Sequence, residues 1–285
     1  MSLLRLVGYF AVIGFAIGGE SSACEPALPT RIDLSSQFDQ WEIPCRSQGN
    51  RPTCSVCTIV GALEFTRAKH GQTTGHLSIE YANWAKNQAA AASTDGGFFH
   101  SIWRGIRRHG LCDENLYPYK EKFDATAEPN EATRKNAAKF HNIPINIRWI
   151  KRWNPNTGLE NAQFLEIKKA LQTGYPVCVG LRWPHKAVRE NGILLSIPQN
   201  GVYDGHSILF IGYQDDDQAE GGGYFSFRNT NSPGANEKMS YRYVLDYAND
   251  ALFFPLLSDN VLRDVPFTYD LEGYLVFTAQ AGIQM

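Results

Sequence analysis

Apolar residues recur at helical spacing through several stretches of the first half of the chain. Between residues 54 and 70, Val56, Val60 and Leu63 fall on one face of a helix, and Gly71 follows as a natural stop. The same spacing predicts further helices over 78–92, 98–109 (ended by Gly110), 131–141 and 164–172.

From about residue 143 the pattern changes to short apolar runs rich in β-branched and aromatic residues. These runs predict strands in "NIPINIRWI", "YPVCVGL", "HSILFIGY", "GYFSFRN" and "EGYLVFTA". Residues 30–45 are expected to be irregular apart from a short extended piece at 31–34. A helical part followed by a strand-rich part predicts an α+β fold of two lobes, with a helical lobe over 24–142 and a β-rich lobe over 143–285.

The first residues show a third pattern, which is continuous rather than periodic. One Arg is followed by the apolar run "LVGYFAVIGFAIGG" and then by small residues at Ser21 and Ala23. This order is typical of a signal peptide, and the run is shorter than the roughly 20 residues that a membrane-spanning helix needs. We expect residues 1–23 to be removed on export, so that the mature protein is periplasmic or secreted and has no stable membrane span. Lipid anchoring through Cys24, an uncleaved anchor and a buried helix are the alternatives.

Composition narrows the functional classes. The 285 residues are 43% hydrophobic, which is enough for a substantial core, and the formal net charge is −2 with only short basic clusters. Nucleic acid is therefore not an expected partner. Six cysteines permit disulfides in an exported chain. Cys45 and Cys112 lie in irregular segments and are the expected pair, whereas Cys178, inside a strand, is expected to be a buried thiol.

Two cysteines stand three residues apart in the stretch "SQGNRPTCSVCTIVGALEF", where a polar loop gives way to the first long helix. A thiol at a helix N-terminus is favoured as a thiolate by the unpaired backbone N–H groups. Such a thiolate serves either acyl transfer with a separate His base or thiol–disulfide exchange through Cys54 and Cys57 together. A zinc site is disfavoured because no second ligand pair has metal-like spacing. No metal or other cofactor is expected.

His206 differs in its context from the other six histidines. It stands at the mouth of the buried run "HSILFIGY", where a strand can direct a side chain into a cleft. The others lie in polar or helix-end segments, where a solvated role is expected. Taken alone, His206 fits a structural histidine as well as a catalytic base.

At this point the chain resembles the papain-like cysteine peptidases over about residues 30–250. The resemblance rests on seven segments in the family's order, and their order is more specific than any one of them: "QGNRPTC", "LSIEY", "DGGFFHSIWRGIRRHG", "LYPY", "YPVCVGL", "GHSILFIGY" and "YFSFRNTN". It implies the papain-like two-lobed fold, with the active cleft between the lobes, and peptide or protein substrates.

The resemblance also assigns roles. In the family a Gln lies six residues before the nucleophile and a Glu ten residues after it, and Gln48 and Glu64 have these distances from Cys54. Cys57 fits neither distance and is interpreted as a small buried side chain. The implied site pairs a Cys54 thiolate with a His206 imidazolium, which Asn229 orients, while Gln48 and the Cys54 backbone N–H hold the oxyanion.

The resemblance places substrate contacts too. Gly96 and Gly97 would let a substrate backbone approach closely. A specificity pocket would be formed by Phe98, Gly180 and Ser207, which suggests an apolar or aromatic preference.

Two positions depart from the family pattern. Ser55 and Asn231 replace tryptophans, and the second of these normally shields the His–Asn hydrogen bond. The segment before Gln48 is too short for the usual inhibitory propeptide, so a separate inhibitor or regulatory protein is an expected partner. An inactive papain-fold module that binds peptides and a thiol–disulfide oxidoreductase stay open as alternatives, as does an acyl acceptor other than water.

Overall fold

The computed structural model describes residues 27–72, 75–231, 235–256, 267–269 and 275–277. The expected signal peptide, Cys24 and most of "EGYLVFTA" lie outside these residues. No helix in the described part is long and apolar enough to cross a membrane.

The described residues contain seven α-helices: α1 (Ser35–Gln40), α2 (Cys54–Lys69), α3 (Ile79–Ala90), α4 (Phe99–His109), α5 (Glu131–Ala138), α6 (Asn161–Gln172) and α7 (Tyr241–Tyr247). Helices α2 to α6 confirm the five predicted ones. The expectation of irregular structure over 30–45 is wrong for α1, because Asp33 Oδ1 accepts the backbone N–H of Ser35 at 3.0 Å and Phe38 is buried in the core.

Nine strands of the described part form one sheet: β1 (Arg31–Asp33), β2 (Arg148–Lys151), β3 (Val177–Pro184), β4 (Arg189–Glu190), β5 (Ile193–Leu194), β6 (Val202–Asp215), β7 (Gly223–Arg228), β8 (Asn236–Ser240) and β9 (Ala248–Phe253). Their order is β2-β9-β3-β6-β7-β8-β5-β4, and β1 pairs with the last part of β6. A separate pair joins β10 (Phe267–Tyr269) to β11 (Leu275–Phe277). Helices together with this sheet confirm the α+β class, while the boundary between residues 142 and 143 stays a prediction.

Helix α2 is the central element between the sheet and the other helices. It packs against β6 on one side and against α3 and α4 on the other. Its residues are buried on nearly all faces, which is typical of a helix inside a core rather than of an amphipathic surface helix. The first turn of α2 is therefore fixed relative to the middle of the sheet.

Close packing of α3 against α4 positions the loop between them. Gly105 permits this approach, since a Cβ atom there would lie 2.4 Å from the backbone N of Lys86. Helix α4 ends at Gly110 as predicted. Gly110 has a φ of +77°, and a Cβ atom there would lie 2.0 Å from the Ala137 carbonyl oxygen.

The predicted Cys45–Cys112 disulfide is wrong. All five cysteines in the described residues are free. Cys112 is fully buried beside the start of α3, where its carbonyl accepts the backbone N–H of Ser78, whereas Cys45 Sγ lies 3.4 Å from the carbonyl oxygen of Asn229. The fully buried Cys178 confirms the expectation of a buried thiol.

Candidate active site

A cavity of about 410 Å³ opens where the N-terminus of α2 meets β3 and β6. Six of the nine side chains or glycines selected from the sequence line it: Cys54, Gly97, Phe98, Gly180, His206 and Ser207. The other three, Gln48, Gly96 and Asn229, are not among the residues that line it. The fold thus brings the two reactive side chains to one cleft.

Cys54 is the first residue of α2 and is 8% exposed. Burial raises the pKa of its thiol, while backbone N–H groups of Ser207 and Ser55 donate to the sulfur and oppose that shift. The sulfur lies 4.0 Å from the carbonyl oxygen of Gly205 on β6. The two N–H groups supply hydrogen bonds to a thiolate, whereas the Gly205 carbonyl oxygen can only accept from the thiol.

Cys57 has a different environment one turn later. It is buried away from the cleft, with its sulfur 3.9 Å from Thr53 Oγ1, and burial raises the pKa of its thiol to about 12. It lines a separate cavity of about 30 Å³ on the other side of the helix. The two cysteines therefore do not face the same space.

His206 and Asn229 form a buried hydrogen bond. His206 lies on β6 and Asn229 directly follows β7, the antiparallel neighbour of β6, so the pairing of the two strands brings the side chains together. The distance from Nε2 of His206 to Oδ1 of Asn229 is 3.0 Å. Burial lowers the pKa of His206, whereas the Asn229 hydrogen bond and the Glu237 carboxylate act to raise it.

Trp183 on β3 packs against His206, a contact that the sequence did not predict. The two ring centroids are 4.4 Å apart with the rings tilted by 60°. The shielding position at Asn231, where the family has Trp, supplies instead a backbone N–H to Asn229 Oδ1 at 3.1 Å. An indole thus covers the imidazole from another strand.

Gln48 is buried beside the cleft, but it does not line the cavity. Its Nε2 donates to the carbonyl oxygen of Arg51 at 2.8 Å, and its Oε1 accepts the hydroxyl of Thr230 at 2.5 Å. The amide is fixed in orientation by these two contacts, with one Nε2 hydrogen directed at the loop before α2.

Gly96 and Gly97 occupy different environments in the loop before α4. Gly96 has a φ of +69°, and a Cβ atom there would lie 1.9 Å from the carbonyl oxygen of Pro52. Its own carbonyl accepts the ammonium of the buried Lys86 at 2.5 Å. Gly96 therefore allows the loop between α3 and α4 to pack against the segment before Cys54. Gly97, the next residue, lines the cleft.

Asp250 is a buried carboxyl group at the cleft that the sequence analysis missed. It lies on β9 opposite Gly180 on β3, and its Oδ1 occupies the space of the missing side chain, 2.1 Å from where a Gly180 Cβ atom would be. The side chain accepts the Gly180 N–H, and burial raises its pKa to about 7. Asp250 lines the cavity although it is only 3% exposed.

Trp153 forms an aromatic lip with Phe98 at the same cavity. Both side chains are nearly half exposed, and their ring centroids are 5.1 Å apart. Lys151 fastens the loop that carries Trp153, since its ammonium donates to the carbonyl oxygens of Gly158 and Ala248 at 2.5 and 2.9 Å. The cavity thus has aromatic walls near its mouth and a carboxyl group at its base.

No group of three or more His, Cys, Asp or Glu side chains in the described ranges is arranged to hold a metal ion. The chemistry that the arrangement supports is that of a thiol and an imidazole.

Comparisons with known proteins agree with this geometry. Residues 28–245 match the family model for papain family cysteine proteases. No curated protein sequence gives a significant match.

Solved structures with the same fold include xylellain, a cysteine protease from Xylella fastidiosa, which is 19% identical with a TM-score of 0.64 and is matched over 81% of this chain and 87% of its own. The digestive procathepsin L 3 of Tenebrio molitor larval midgut is 17% identical with a TM-score of 0.54, over 82% of this chain and 72% of its own. The proform of Amb a 11, a ragweed pollen allergen, is 16% identical with a TM-score of 0.57, over 83% and 67%.

Proposed function

The chain belongs to the papain family of cysteine proteases and is a cysteine peptidase, and from this premise we propose that it is an exported enzyme in which Cys54 is the nucleophile and His206 the base. One observation carries the proposal. A cysteine at the first position of a buried helix and a histidine hydrogen-bonded to an asparagine line one cavity. Export rests on the N-terminal apolar run alone.

The reaction proceeds through an acyl-enzyme. The sulfur of Cys54 attacks the peptide carbonyl carbon as His206 takes the thiol proton, and a C–S bond forms. His206 then gives that proton to the leaving nitrogen, and the C–N bond breaks. Water attacks the thioester with His206 as base, the C–S bond breaks, and the proton returns to the Cys54 sulfur.

Oxyanion stabilisation is assigned to the Cys54 backbone N–H and to Gln48. The first N–H groups of a helix have no partner within the helix, so the Cys54 N–H is available to a developing negative charge. Gln48 Nε2 carries a second hydrogen besides the one donated to the Arg51 carbonyl oxygen, and we assign this second hydrogen to the oxyanion.

Ionisation of the Cys54–His206 pair is a coupled event. Burial raises the pKa of Cys54 and lowers the pKa of His206, so either charge alone is disfavoured. Transfer of the thiol proton to the imidazole creates both charges together, and opposite charges in one cavity offset each other's desolvation cost. We therefore expect the two groups to ionise as a pair.

The cleft selects the substrate side chain that enters it. Phe98, Gly180 and Ser207, which we assign to the specificity pocket, line this cavity together with Trp153 and Asp250. The aromatic walls suit an apolar side chain or the alkyl stem of a basic one, and the Asp250 carboxylate suits a cationic end. The preferred class is therefore peptides with Arg or Lys at this subsite when Asp250 is ionised.

Selective alkylation tests the assignment of Cys54. Limiting iodoacetamide at about pH 5.5 should modify Cys54 before Cys57 and abolish hydrolysis of fluorogenic peptides, because a thiolate reacts and a buried thiol does not. The measurement is peptide mapping by mass spectrometry alongside residual activity. Substituting His206→Ala should slow the labelling severely, whereas the control Cys57→Ser should leave it unchanged.

Other labelling results would contradict the assignment. Preferential modification of Cys57 would overturn it, and a reversible Cys54–Cys57 disulfide without hydrolysis would indicate thiol–disulfide exchange. Rapid Cys54 labelling with no hydrolysis of any peptide would favour a binding module or a transferase.

Substituting Trp183→Ala is expected to lower kcat about fivefold, since water would then compete for the buried His206–Asn229 hydrogen bond, which is worth about 1 kcal/mol. Trp183→Phe keeps an aromatic ring beside His206 and should retain most of the activity. Steady-state kinetics on one peptide compares the two variants, and equal losses in both would count against a shielding role.

A further inference from the structure

The Asn229 side chain is held on both ends. Its Oδ1 accepts Nε2 of His206 at 3.0 Å and the backbone N–H of Asn231 at 3.1 Å. Its Nδ2 donates to Oε1 of Glu237 at 2.8 Å. A carboxylate can only accept hydrogen bonds, so Glu237 requires the Nδ2 end of the amide and leaves Oδ1 to face the imidazole.

Glu237 lies on β8 and is largely buried, with 14% of its side chain exposed. Strand β8 pairs with β7 in the register Phe227↔Glu237, which sets the carboxylate beside the end of β7 where Asn229 follows. The second carboxylate oxygen, Oε2, forms a salt bridge with the guanidinium of Arg189 on β4. Arg189, Glu237, Asn229 and His206 thus form one continuous row of hydrogen-bonded side chains.

We propose that Glu237 is a positioning residue that holds the Asn229 amide in its working orientation and supports the proton on His206, and that Arg189 weakens this support by neutralising Glu237. The inference rests on the proposed role of His206 as the base. Neither residue touches the cavity or the reacting atoms.

Charge acts through this row in a defined direction. A negative charge near an imidazole favours its protonated form, and the Glu237 carboxylate acts to raise the pKa of His206. Arg189 lies beyond Glu237 and has the opposite sign. Its side chain is 34% exposed, so its effect is screened and is the smaller of the two.

The other ionisable groups of the described residues that face this row are few. Cys54, Asp95 and Asp250 line the same cavity as His206, and the Cys45 thiol donates to the carbonyl oxygen of Asn229 at 3.4 Å. Lys238, next to Glu237 in sequence, points to the other face of the strand, with its ammonium 4.7 Å from the centre of the Tyr224 ring. Lys238 is therefore a positive charge close to Glu237 that does not contact the side chains of the row.

The test compares Glu237→Gln with Arg189→Gln. Glutamine at 237 keeps an oxygen that accepts from Asn229 Nδ2 but has no charge. The readouts are the pH profile of kcat/KM for one peptide and the pH profile of iodoacetate labelling of Cys54. Iodoacetate is an anion that the His206 imidazolium attracts to the thiolate, so the alkaline limbs of both profiles report loss of the His206 proton. Glu237→Gln is expected to move both limbs to lower pH by about 0.5–1 unit, and Arg189→Gln to move them to higher pH by a smaller amount.

Shifts in opposite directions are the expected sign of charge acting along this row. A merely structural salt bridge would impair both variants alike. Lys238→Gln removes a neighbouring positive charge outside the row and is the matched control, with no shift expected. Unmoved limbs, or shifts of the same sign in both variants, would overturn the proposal. If Glu237→Gln does not fold, an upward shift in Arg189→Gln still supports the proposal and its absence refutes it.

These outcomes are separable from failure of the proposed function. If Cys54 and His206 are not the reacting pair, Cys54 will be labelled as fast in His206→Ala as in the parent protein. If they are, and only the limbs fail to move, the role of Glu237 alone is refuted.

Discussion

Substituting His206→Ala is expected to lower kcat/KM for peptide hydrolysis by on the order of 10⁴-fold, and Cys54→Ala by at least as much. Without the imidazole, nothing in the cleft takes the thiol proton or protonates the leaving nitrogen. Without the thiol, no acyl-enzyme forms. The measurement is kcat/KM with a fluorogenic peptide, on protein whose fold is checked by circular dichroism.

The double variant sharpens this expectation. The losses caused by residues that act as one unit do not add. The kcat/KM of the double variant Cys54→Ala with His206→Ala should therefore equal, within experimental error, that of the less active single variant. His141→Ala is the matched control, because that histidine is exposed and remote from the cavity. Activity that persists in Cys54→Ala, or that is lost in Cys57→Ser instead, would refute the assignment of the nucleophile.

Substituting Asp250→Asn is expected to change which peptides are cleaved, with little effect on how fast the best apolar substrate reacts. At about pH 8 the parent enzyme should favour Arg or Lys at the subsite residue, and the variant should lose on the order of 10² in kcat/KM for these substrates, because the cation then lacks its carboxylate. Asparagine has nearly the same shape and keeps an oxygen for the Gly180 N–H, so the cavity itself is preserved. The measurement is kcat/KM for matched peptides that differ only at this residue.

The pH dependence of the parent enzyme provides an internal check. Since the pKa of Asp250 is raised to about 7, the carboxyl group is neutral below that pH and ionised above it. The preference for basic over apolar side chains should therefore grow as the pH rises through about 7 and should not change with pH in Asp250→Asn. A preference that is independent of pH in the parent, or the same in both proteins, would contradict this role.

Stability should respond to the same group with a defined sign. The pKa of Asp250 in the folded protein is about 7, above the ordinary value of about 4 that it has in the unfolded chain. The folded protein therefore binds the proton more tightly between about pH 4 and 7, and this carboxyl group destabilises the fold progressively as pH rises through that range. Asp250→Asn should thus unfold at a higher temperature than the parent at about pH 8, with the difference disappearing near pH 4. Thermal unfolding of both proteins across this range measures it.

Much of the helical part could be predicted from the sequence. Helix α2 begins at Cys54 because the Pro-containing loop "QGNRP" ends just before an apolar run of helical period. Ser78 accepts the N–H of Tyr81 at the start of α3, and Gly110 ends α4. Helix caps and stops of this kind depend on contacts between residues close in the chain, so they can be recognised in the sequence without knowledge of the fold.

The cleft could be predicted only in part. Local context and the resemblance both point to Cys54 and His206, and both residues line the cavity. Gln48 was selected in the same way, yet its amide contacts the Arg51 carbonyl and the Thr230 hydroxyl, since its orientation depends on a loop from the far end of β7. The expected Cys45–Cys112 disulfide is wrong for a related reason, because the irregularity of a segment does not show which other segment it contacts.

What the sequence by itself determined was the α+β class, the helix on which Cys54 stands, the strand on which His206 stands and the order of the motifs. What only the tertiary structure decided were the partners across strands: Trp183 beside His206, Asp250 beneath Gly180, and Glu237 behind Asn229. Each of these contacts depends on strand register. Strand β3 has irregular pairing with both β6 and β9, and a slip of one residue would turn every following side chain to the opposite face of the sheet. Periodicity along one strand cannot show which residue of its neighbour lies opposite, because that is settled by the packing of all the strands together.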